Sequence, residues 1–335
     1  YGDDRRTELI EDDSATMPVV ENKPIAEDTA ILRLRDGQLR RMSPRMVDKY
    51  LAQPGAKDEV VEIIQTATDE TLYFFTNKGS CFMLDEAKIP ETMRLKERGS
   101  LLTGLIAGLA DGEHAVAMIC VKTDEMTKKG DFLFITKNGQ VKRTAAAEYG
   151  IRRARFSAIN LKDGDELVGM VQVDPDDKDD IVLITQTGMA LRFKLDTVSC
   201  TGRATAGVRG IDVAKTDAVR WFEIPTTGAM LFVISDRGFG KRMLCDDVER
   251  QGRAGKGQKL LPMNKTGETG QALAACLNVT DAKAVRVEQK HGHVTTLDVG
   301  EIPVQRRSSK GELLVNVLLD DVVEYAALAG DMQEK

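Results

Sequence analysis

The sequence predicts an all-β repeat protein whose six units form a propeller-like array. One observation is a recurring hairpin signature, in which a short and mainly apolar run precedes a polar turn that ends in glycine. The turn glycines are Gly37, Gly79, Gly139, Gly188, Gly238 and Gly292. A second observation is their spacing of 42, 60, 49, 50 and 54 residues. A period of about fifty residues with strands in every repeat is typical of propellers, in which packed repeats bury the apolar faces that one repeat cannot.

The third unit shows the hairpin most clearly. Phe132–Ile135 is an apolar run rich in strand formers, and Thr136–Gly139 turns the chain. Gly139 suits the left-handed backbone conformation that a hairpin turn requires. Lys142 and Arg143 follow on the returning strand. The unit is therefore predicted to be a hairpin with a buried first strand and a basic pair at a fixed offset from its glycine.

The other units follow the same pattern in chain order. Their first strands are predicted at Ile31–Leu34, Leu72–Phe75, Ile181–Ile184 and Met230–Ile234, and Lys290–Gly292 closes a weaker last copy. The predicted blades span about 29–67, 69–121, 130–173, 179–224, 228–279 and 282–328. Residues 1–28 are predicted to be an acidic connecting segment with a strand around Met17–Val20, and 329–335 a tail. The weak sixth repeat leaves a closed and an open disc both possible.

Composition restricts the class of protein. The hydrophobic content is 42% and the aromatic content 5%, so we expect a core of Val, Ile, Leu and Ala. No apolar stretch has the length of a membrane span, and no signal peptide is visible. The five cysteines are scattered without metal-type spacing, which predicts reduced thiols in a cytosolic protein. The start at Tyr1 suggests a fragment of a longer chain.

The net charge of −6 is unevenly distributed. Residues 1–28 carry −6, while 174–180 and 320–335 each carry −4. These three segments together carry −14, so the remaining repeat body carries about +8. Because screening limits each charge to roughly 8–10 Å, the local charge of the repeats matters more to a polyanion than the total.

Two basic features recur in the repeats. The first lies three and four residues after the hairpin glycine, as Arg40-Arg41, Lys142-Arg143 and Lys241-Arg242, with Arg192 alone at the fourth position. The second is a loop that precedes a later strand and contains Arg152, Arg153 and Arg155, then Arg203 and Arg209, then Arg253 and Lys256. Equivalent positions of a repeat array lie on equivalent parts of its edge, so these residues predict a basic rim for a phosphate backbone. The alternative is that the pairs are solvated strand ends.

Catalytic and metal sites are not predicted. His114 lies in a polar turn, and His291 and His293 flank a hairpin glycine without a nearby cysteine or carboxylate cluster. There is no Walker-type loop and no nucleophile elbow. The acidic stretch Asp174–Asp180 lacks the alternating ligands of a calcium loop. A protein-binding propeller is the rival class, but no Trp-Asp or Gly-His repeat signature accompanies the basic features.

The hairpins and the segment Gly202–Gly210, Gly-Arg-Ala-Thr-Ala-Gly-Val-Arg-Gly, resemble the C-terminal domain of the A subunit of bacterial type IIA topoisomerases. Tyr1–Glu8 resembles the segment that leaves the cleavage core in those proteins. The resemblance implies a six-bladed β-pinwheel of four-stranded blades that exchange strands, with DNA bent around a basic outer edge.

Two enzymes of this family carry the domain, gyrase and topoisomerase IV. The gyrase Gln-Arg-Arg-Gly-Gly-Lys-Gly box has no counterpart in Tyr50–Val60, and its nearest match, Gln251–Gly257, agrees at five of seven positions but lies in the fifth blade. Phe75–Ser80 and Lys137–Lys142 resemble the topoisomerase IV protein of Gram-positive bacteria. The resemblance therefore favours topoisomerase IV over gyrase.

The resemblance also implies a role for the chain. We expect a non-catalytic, DNA-binding and DNA-bending domain that biases strand passage, with the cleavage tyrosine upstream of Tyr1. No cofactor is expected here, since ATP and Mg²⁺ belong to the full enzyme. The expected partners are duplex DNA, the remainder of the parent A subunit, and the ATPase B subunit of a heterotetramer, in the bacterial cytoplasm. A wrapping domain of gyrase is the first alternative and a protein-binding propeller the second.

Overall fold

The computed structural model describes residues 26–53, 55–56, 60–176, 179–318 and 320–329. The strand expected around Met17–Val20, most of the connecting segment 1–28 and most of the tail 329–335 lie outside these described residues. Six antiparallel sheets follow one another along the described chain.

Each sheet is built on a hairpin and a third strand. The first strands are β1 (Asp28–Leu34), β4 (Thr71–Thr76), β8 (Asp131–Thr136), β12 (Asp180–Thr185), β16 (Met230–Ser235) and β20 (Ala284–Gln289). The second strands are β2 (Gln38–Met42), β5 (Ser80–Asp85), β9 (Gln140–Ala145), β13 (Met189–Lys194), β17 (Phe239–Leu244) and β21 (Val294–Asp298). The third strands are β3 (Val60–Ala67), β7 (Ala115–Val121), β11 (Leu167–Val173), β15 (Val219–Glu223), β19 (Leu273–Asn278) and β23 (Val323–Ala329).

A fourth strand in each of the first five blades comes from a later repeat. These donated strands are β6 (Ser100–Leu101), β10 (Arg155–Ser157), β14 (Val208–Arg209), β18 (Gln258–Lys259) and β22 (Glu312–Leu313). Each pairs antiparallel with the second strand of the preceding blade. The prediction of an all-β, six-bladed propeller of four-stranded blades is confirmed. The sixth sheet differs, because the described residues give it three strands, β21, β20 and β23.

The helices of the described chain are short. The helix α1 (Pro44–Leu51) follows β2, and α2 (Leu102–Leu105) follows β6. Short 3-10 segments of three to seven residues lie at Glu86–Lys88, Thr123–Lys129, Ala146–Tyr149, Leu195–Thr197, Cys245–Asp247 and Val299–Glu301. None of the helices in the described part of the chain is long and apolar enough to cross a bilayer.

The backbone of the hairpin glycine is in close contact with the chain of the next repeat. Gly139 has φ +79°, and its carbonyl oxygen accepts the amide of Gly210 at 2.8 Å. A Cβ at Gly139 would lie 2.7 Å from the Ile211 carbonyl oxygen, a distance that real Cβ atoms do not show. The position therefore requires glycine twice, for its left-handed conformation and for the close approach of the following repeat.

Hydrophobic clusters join the blades in chain order. The clusters between blades one and two, two and three, three and four, four and five, and five and six each combine buried side chains from neighbouring sheets. Between blades two and three, for example, Phe75 packs edge-on against Phe132 and Phe134. All five cysteines are unpaired. The predicted aliphatic core is therefore supplemented by one aromatic cluster between the second and third blades.

Blade one is covered differently on its other face. Ile31 points into the cluster shared with blade two, whereas Ala30 and Leu32 pack under Val47 and Tyr50 of α1. In chain order α1 lies between the second and third strands of its repeat, which is where the other five repeats carry a donated strand. The helix thus replaces a donated strand and covers the face of blade one that is turned away from blade two.

Candidate nucleic-acid interface

The donated strands mark the outer edge of the disc. Third strands of neighbouring blades contact one another, β3 with β7, β7 with β11, β11 with β15, and β19 with β23, so they lie near the centre. The donated strands are at the opposite end of each sheet. The loops that lead into them are called here the rim loops, residues 91–99, 150–154, 200–207, 250–257 and 304–311.

Most rim loops begin and end on the same second strand of the preceding blade. Isolated parallel bridges join Arg41 to Glu91, Arg143 to Cys200, Arg192 to Arg250, and Arg242 to Val304, all at the fourth position after the hairpin glycine. The donated strand then pairs nearer the glycine. The residue at the third position therefore has its side chain enclosed by the loop.

Two of the predicted pairs place a lysine at this enclosed position. Lys142 is 1% exposed, and its Nζ donates to the carbonyl oxygen of Ala158 at 3.0 Å and to that of Arg203. Lys241 is 0% exposed, and its Nζ donates to the carbonyl oxygens of Arg306, Arg307 and Ser309 at 2.8, 2.8 and 2.6 Å. The prediction that these two lysines belong to a basic rim in contact with a phosphate backbone is wrong, because the rim loop folds over them and buries them.

Burial perturbs both ammonium groups. Desolvation, reinforced by the positive charge of Arg203, lowers the pKa of Lys142 to about 8. Desolvation and the charge of Arg307 lower the pKa of Lys241 to about 8. The carbonyl oxygens supply partial negative charge but no counter-ion, so the charged form costs free energy in both places.

The arginines at the fourth position are also engaged within the fold. The Nε of Arg143 donates to Asp131 at 2.6 Å, and Arg192 bonds both Asp180 and Asp246, at 2.6 and 2.7 Å. Arg242 donates to the carbonyl oxygens of Ile302 and Gly300. Arg41 contacts Glu86 and Glu91. Arg41 and Arg242 thus contact the start of a rim loop or the turn just before it, whereas Arg143 and Arg192 pair with carboxylates of the blades.

Arg40, at the third position of the first blade, is likewise engaged within the fold. Its Nη1 donates to the Leu95 carbonyl oxygen at 3.2 Å, and its guanidinium lies 4.7 Å from the ring centroid of Tyr50. The rim loop of the first blade is thereby fixed to both β2 and α1.

A second row of arginines links successive rim loops. Arg203 donates Nη1 to Ser157, Arg253 to Arg209, and Arg307 to Lys259, in each case to the backbone carbonyl oxygen. The acceptors are the last residues of the donated strands β10, β14 and β18. Arg155 makes the related bond to Gly108 and lies 5.0 Å from the ring centroid of Phe82. This row connects the outer edge from blade to blade.

The exposed cations form a third group. Among the predicted residues, Arg152, Arg153, Arg155, Arg209 and Lys256 are exposed. Arg152, Arg153 and Lys256 make no side-chain hydrogen bond or ion pair to any described residue. The third group also contains exposed cations outside the predicted set, Arg94, Lys96, Arg98, Lys259, Arg306 and Lys310. All of them lie on rim loops or donated strands. The sequence signal that could have identified them is their place in each repeat, between the hairpin and the third strand.

The histidines lie apart from any metal-type cluster. Nδ1 of His291 is 3.9 Å from a carboxylate oxygen of Asp321, and Nδ1 of His114 is 3.2 Å from the Gly112 carbonyl oxygen. Among the described residues no three His, Cys, Asp or Glu side chains are grouped in a way that could hold a metal ion.

Comparison with known proteins adds the family to this geometry. The family described as DNA gyrase C-terminal domain, beta-propeller, matches residues 130–174, 179–225, 229–272 and 296–328. The chain belongs to this family. The matched segments contain the hairpins of blades three to five and the rim loops of repeats three to six, so the repeats that carry the enclosed lysines are family repeats.

Relatives and solved structures extend the match to at least 90% of the chain. The A subunit of DNA gyrase from Deinococcus deserti is 33% identical over 96% of this chain and 40% of the relative, and that from Aminobacterium colombiense is 30% identical over 98% and 40%. The chain thus spans about two fifths of these relatives. A crystal structure of the C-terminal domain of DNA topoisomerase IV superposes with a TM-score of 0.79 at 26% identity, covering 90% of this chain and 93% of the other. The C-terminal domain of DNA gyrase A gives 0.63 at 19% over 90% and 99%, which shows the shared fold.

Proposed function

We propose that the chain is the DNA-binding and DNA-bending domain of a bacterial type II topoisomerase, with duplex DNA lying along its rim loops. The observation that carries this proposal is the third group of cations, which gives an exposed Arg or Lys to the rim loop or donated strand of all five donated edges. A curved row of point charges and guanidinium groups suits a phosphate backbone.

The described part of the edge has no element for reading bases. Its rim loops are short, and the donated strands have two or three residues, so no helix or ribbon projects there as a groove-reading element would. Bending a short duplex costs about 1–6 kcal/mol, which several phosphate contacts offset. Binding that tolerates sequence and responds strongly to salt follows from such an interface.

The predicted site residues have different parts in this proposal. Arg152, Arg153, Arg155, Arg209 and Lys256 are exposed and would contact phosphates directly. Lys142 and Lys241 hold the rim loops from inside, whereas Arg143 and Arg192 pair with carboxylates of their own blades and Arg242 bonds to the chain just before a rim loop. Arg203 and Arg253 connect neighbouring loops with one guanidinium nitrogen and add positive charge to the edge.

We further propose topoisomerase IV as the parent enzyme. The TM-score of 0.79 to the topoisomerase IV domain and the lack of a Gln-Arg-Arg-Gly-Gly-Lys-Gly box at Tyr50–Val60 support it. Gyrase is the second candidate, because the relatives at 33% and 30% identity are named as gyrase proteins. In either enzyme the proposed partners are the remainder of the A subunit, with the ATPase B subunit, in the bacterial cytoplasm. ATP, Mg²⁺ and the cleavage tyrosine would belong to the remainder of that enzyme.

The test combines binding with DNA topology. Anisotropy of a fluorescent duplex, measured between about 50 and 200 mM salt, is expected to give affinities that fall steeply with salt and vary little between unrelated sequences. Plasmid relaxed by a nicking-closing enzyme in the presence of the chain is expected to retain little writhe for topoisomerase IV and strong, chirally biased writhe for gyrase. An affinity that is insensitive to salt would contradict the proposed interface.

A further inference from the structure

Lys142 and Lys241 stand beneath the rim without reaching its surface. Each ammonium is enclosed by one rim loop. Lys142 bonds to one carbonyl oxygen of its loop, that of Arg203, and to that of Ala158 outside it, and Lys241 bonds to three of its loop, those of Arg306, Arg307 and Ser309. Direct contact with a phosphate is therefore not their role. Each lysine nevertheless places a titratable ammonium directly beneath a rim loop whose outer side faces the solvent.

The charged surroundings of the two lysines are dominated by rim cations. Lys142 on β9 is faced by Arg203 and Cys200 from the rim loop and by Glu148 from the 3-10 turn after its strand. Lys241 on β17 is faced by Arg307 from the rim loop and by Asp247 from the turn after its strand. Neither makes an ion pair with a described carboxylate. An anion that approaches Arg203 or Arg307 thus also approaches a buried ammonium.

We propose that Lys142 and Lys241 are positioning residues of the rim, each holding its rim loop in place through backbone carbonyls, and that they couple the binding of a polyanion to proton uptake. The proposal rests on the proposed function in naming duplex DNA as the polyanion. Its positioning half concerns the free chain and does not depend on DNA.

The positioning half follows from hydrogen-bond accounting. Removing the ammonium of Lys241 leaves three carbonyl oxygens of one loop without that donor, and buried acceptors without a donor are costly. Blade four shows how the fold manages without a lysine. Its third position is the fully buried Leu191, and a Cβ built on Gly255 of the rim loop above it would lie 3.6 Å from Cδ1 of the leucine.

The coupling half follows from linkage. The pKa of each lysine in the free chain is lowered to about 8, and a phosphate close to the loop favours the charged form, so DNA raises this pKa. A group whose pKa is raised in the complex strengthens binding below its free pKa, and this contribution is lost as pH rises through the pKa in the complex. Affinity is therefore expected to fall above about pH 8, by up to about tenfold per pH unit for each proton taken up.

The test of coupling is calorimetric. Binding of the 335-residue chain to a short duplex is measured at pH 8 in two buffers that differ in ionisation enthalpy, in a Cys200→Ser background that removes the one thiol facing Lys142. Two half-protonated lysines are expected to take up at most about one proton per chain. The Lys142→Met, Lys241→Met double variant is expected to lose this uptake. Lys256→Met, which removes an exposed rim lysine, is expected to bind more weakly and keep it.

The test of positioning uses the free protein, so that its outcome is separate from that of the proposed function. Hydrogen exchange is measured at the Ser309 and Gln305 amides, which bond to Arg306 and Arg242, and at Thr201, which bonds to Arg143. Lys241→Met is expected to speed exchange at the first two, and Lys142→Met at the third. Unchanged exchange in both variants would overturn the positioning role. DNA binding without proton uptake by the wild-type chain would overturn the coupling, and absence of DNA binding would overturn the proposed function together with the coupling.

Discussion

Arg35 and Glu288, which are 253 residues apart in the chain, form an ion pair between the first and the last blade. Nη1 of Arg35 lies 2.5 Å from a carboxylate oxygen of Glu288, and the guanidinium lies 4.0 Å from the ring centroid of Tyr325. The partners come from the β1–β2 turn on one side and from β20 and β23 on the other. The disc is thus brought together at its seam by a polar contact.

This seam differs from the other five. Each of those has a cluster of buried apolar residues from both blades, whereas the cluster on this side of blade one is formed with α1. Burial of apolar area stabilises the five interfaces far more than one partly exposed ion pair stabilises the sixth. The disc is therefore closed, and the seam is its weakest interface.

We expect Arg35→Ala to open the disc with little loss of stability. An ion pair with partly exposed partners contributes about 0–1 kcal/mol, so the melting temperature should change little. Small-angle scattering is expected to show a larger radius of gyration. Arg33→Ala, which removes an ion pair to Glu62 within blade one, is the matched control and should leave the radius unchanged. Equal radii for both variants and the wild type would show that Arg35 does not hold the seam.

We expect Arg143→Ala to destabilise the fold strongly. The variant leaves the buried Asp131 carboxylate without the partner that now lies 2.6 Å away, and breaking a buried pair from one side costs about 3–5 kcal/mol. Chemical denaturation measures the loss. Arg209→Ala, whose ion pair with Asp212 is exposed, is the control and should cost under about 1 kcal/mol. Equal costs would mean that the Arg143 pair contributes no more than a surface pair.

We expect Arg152→Ala with Arg153→Ala to weaken DNA binding and leave the fold intact. Both side chains are exposed and without a described partner, so each substitution should remove one phosphate contact. The slope of log affinity against log salt concentration should flatten by about 0.9 for each contact removed. Anisotropy against salt gives the slope, and the melting temperature serves as the check on folding. The acidic pair Asp176 and Asp177, replaced by Ala, should leave binding equal or tighter. Equal losses in both double variants would contradict the rim interface.

We expect the wild-type chain to be stabilised by Lys142 and Lys241 deprotonation between about pH 8 and 10.5. The pKa of each lysine is about 8 in the fold against 10.5 in the unfolded chain, so the unfolded state binds more protons in this window and stability rises with pH. Burial raises the pKa of Cys120 and Cys245 to about 12, which acts in the opposite direction above pH 9. The difference between wild type and the Lys142→Met, Lys241→Met variant in urea melts isolates the lysines. A pH-independent difference would refute the lowered pKa values.

We expect chelators to change neither the melting temperature nor the DNA affinity. The described residues hold no group of metal-type ligands, and His291 contacts a single carboxylate, that of Asp321. Calorimetry and anisotropy with and without a strong chelator give the measurement. A melting temperature that falls on chelation would identify a metal site near His291 and His293.

The sequence by itself determined the repeat and its hairpins. A period of about fifty residues and the turn glycines predict six β-hairpin units, because turn geometry and alternation are local properties of the chain. The turn glycines Gly37, Gly79, Gly139, Gly188, Gly238 and Gly292 all have positive φ. The basic rim loops were also visible as Arg-containing stretches at equivalent places in successive repeats.

Only the tertiary structure decided which basic residues face the solvent. Lys142 and Arg152 are both cations in one repeat, yet Lys142 is enclosed by a loop that arrives from the next repeat, 61 residues later along the chain. Because the enclosing loop is distant in sequence, the residues around Lys142 show no local pattern that would predict its burial. The same holds for α1, which takes the place of a donated strand, and for the seam that Arg35 closes with Glu288. Which side chains are buried in this fold depends on contacts with the neighbouring blade, and those contacts exist only once the blades have packed into the closed disc.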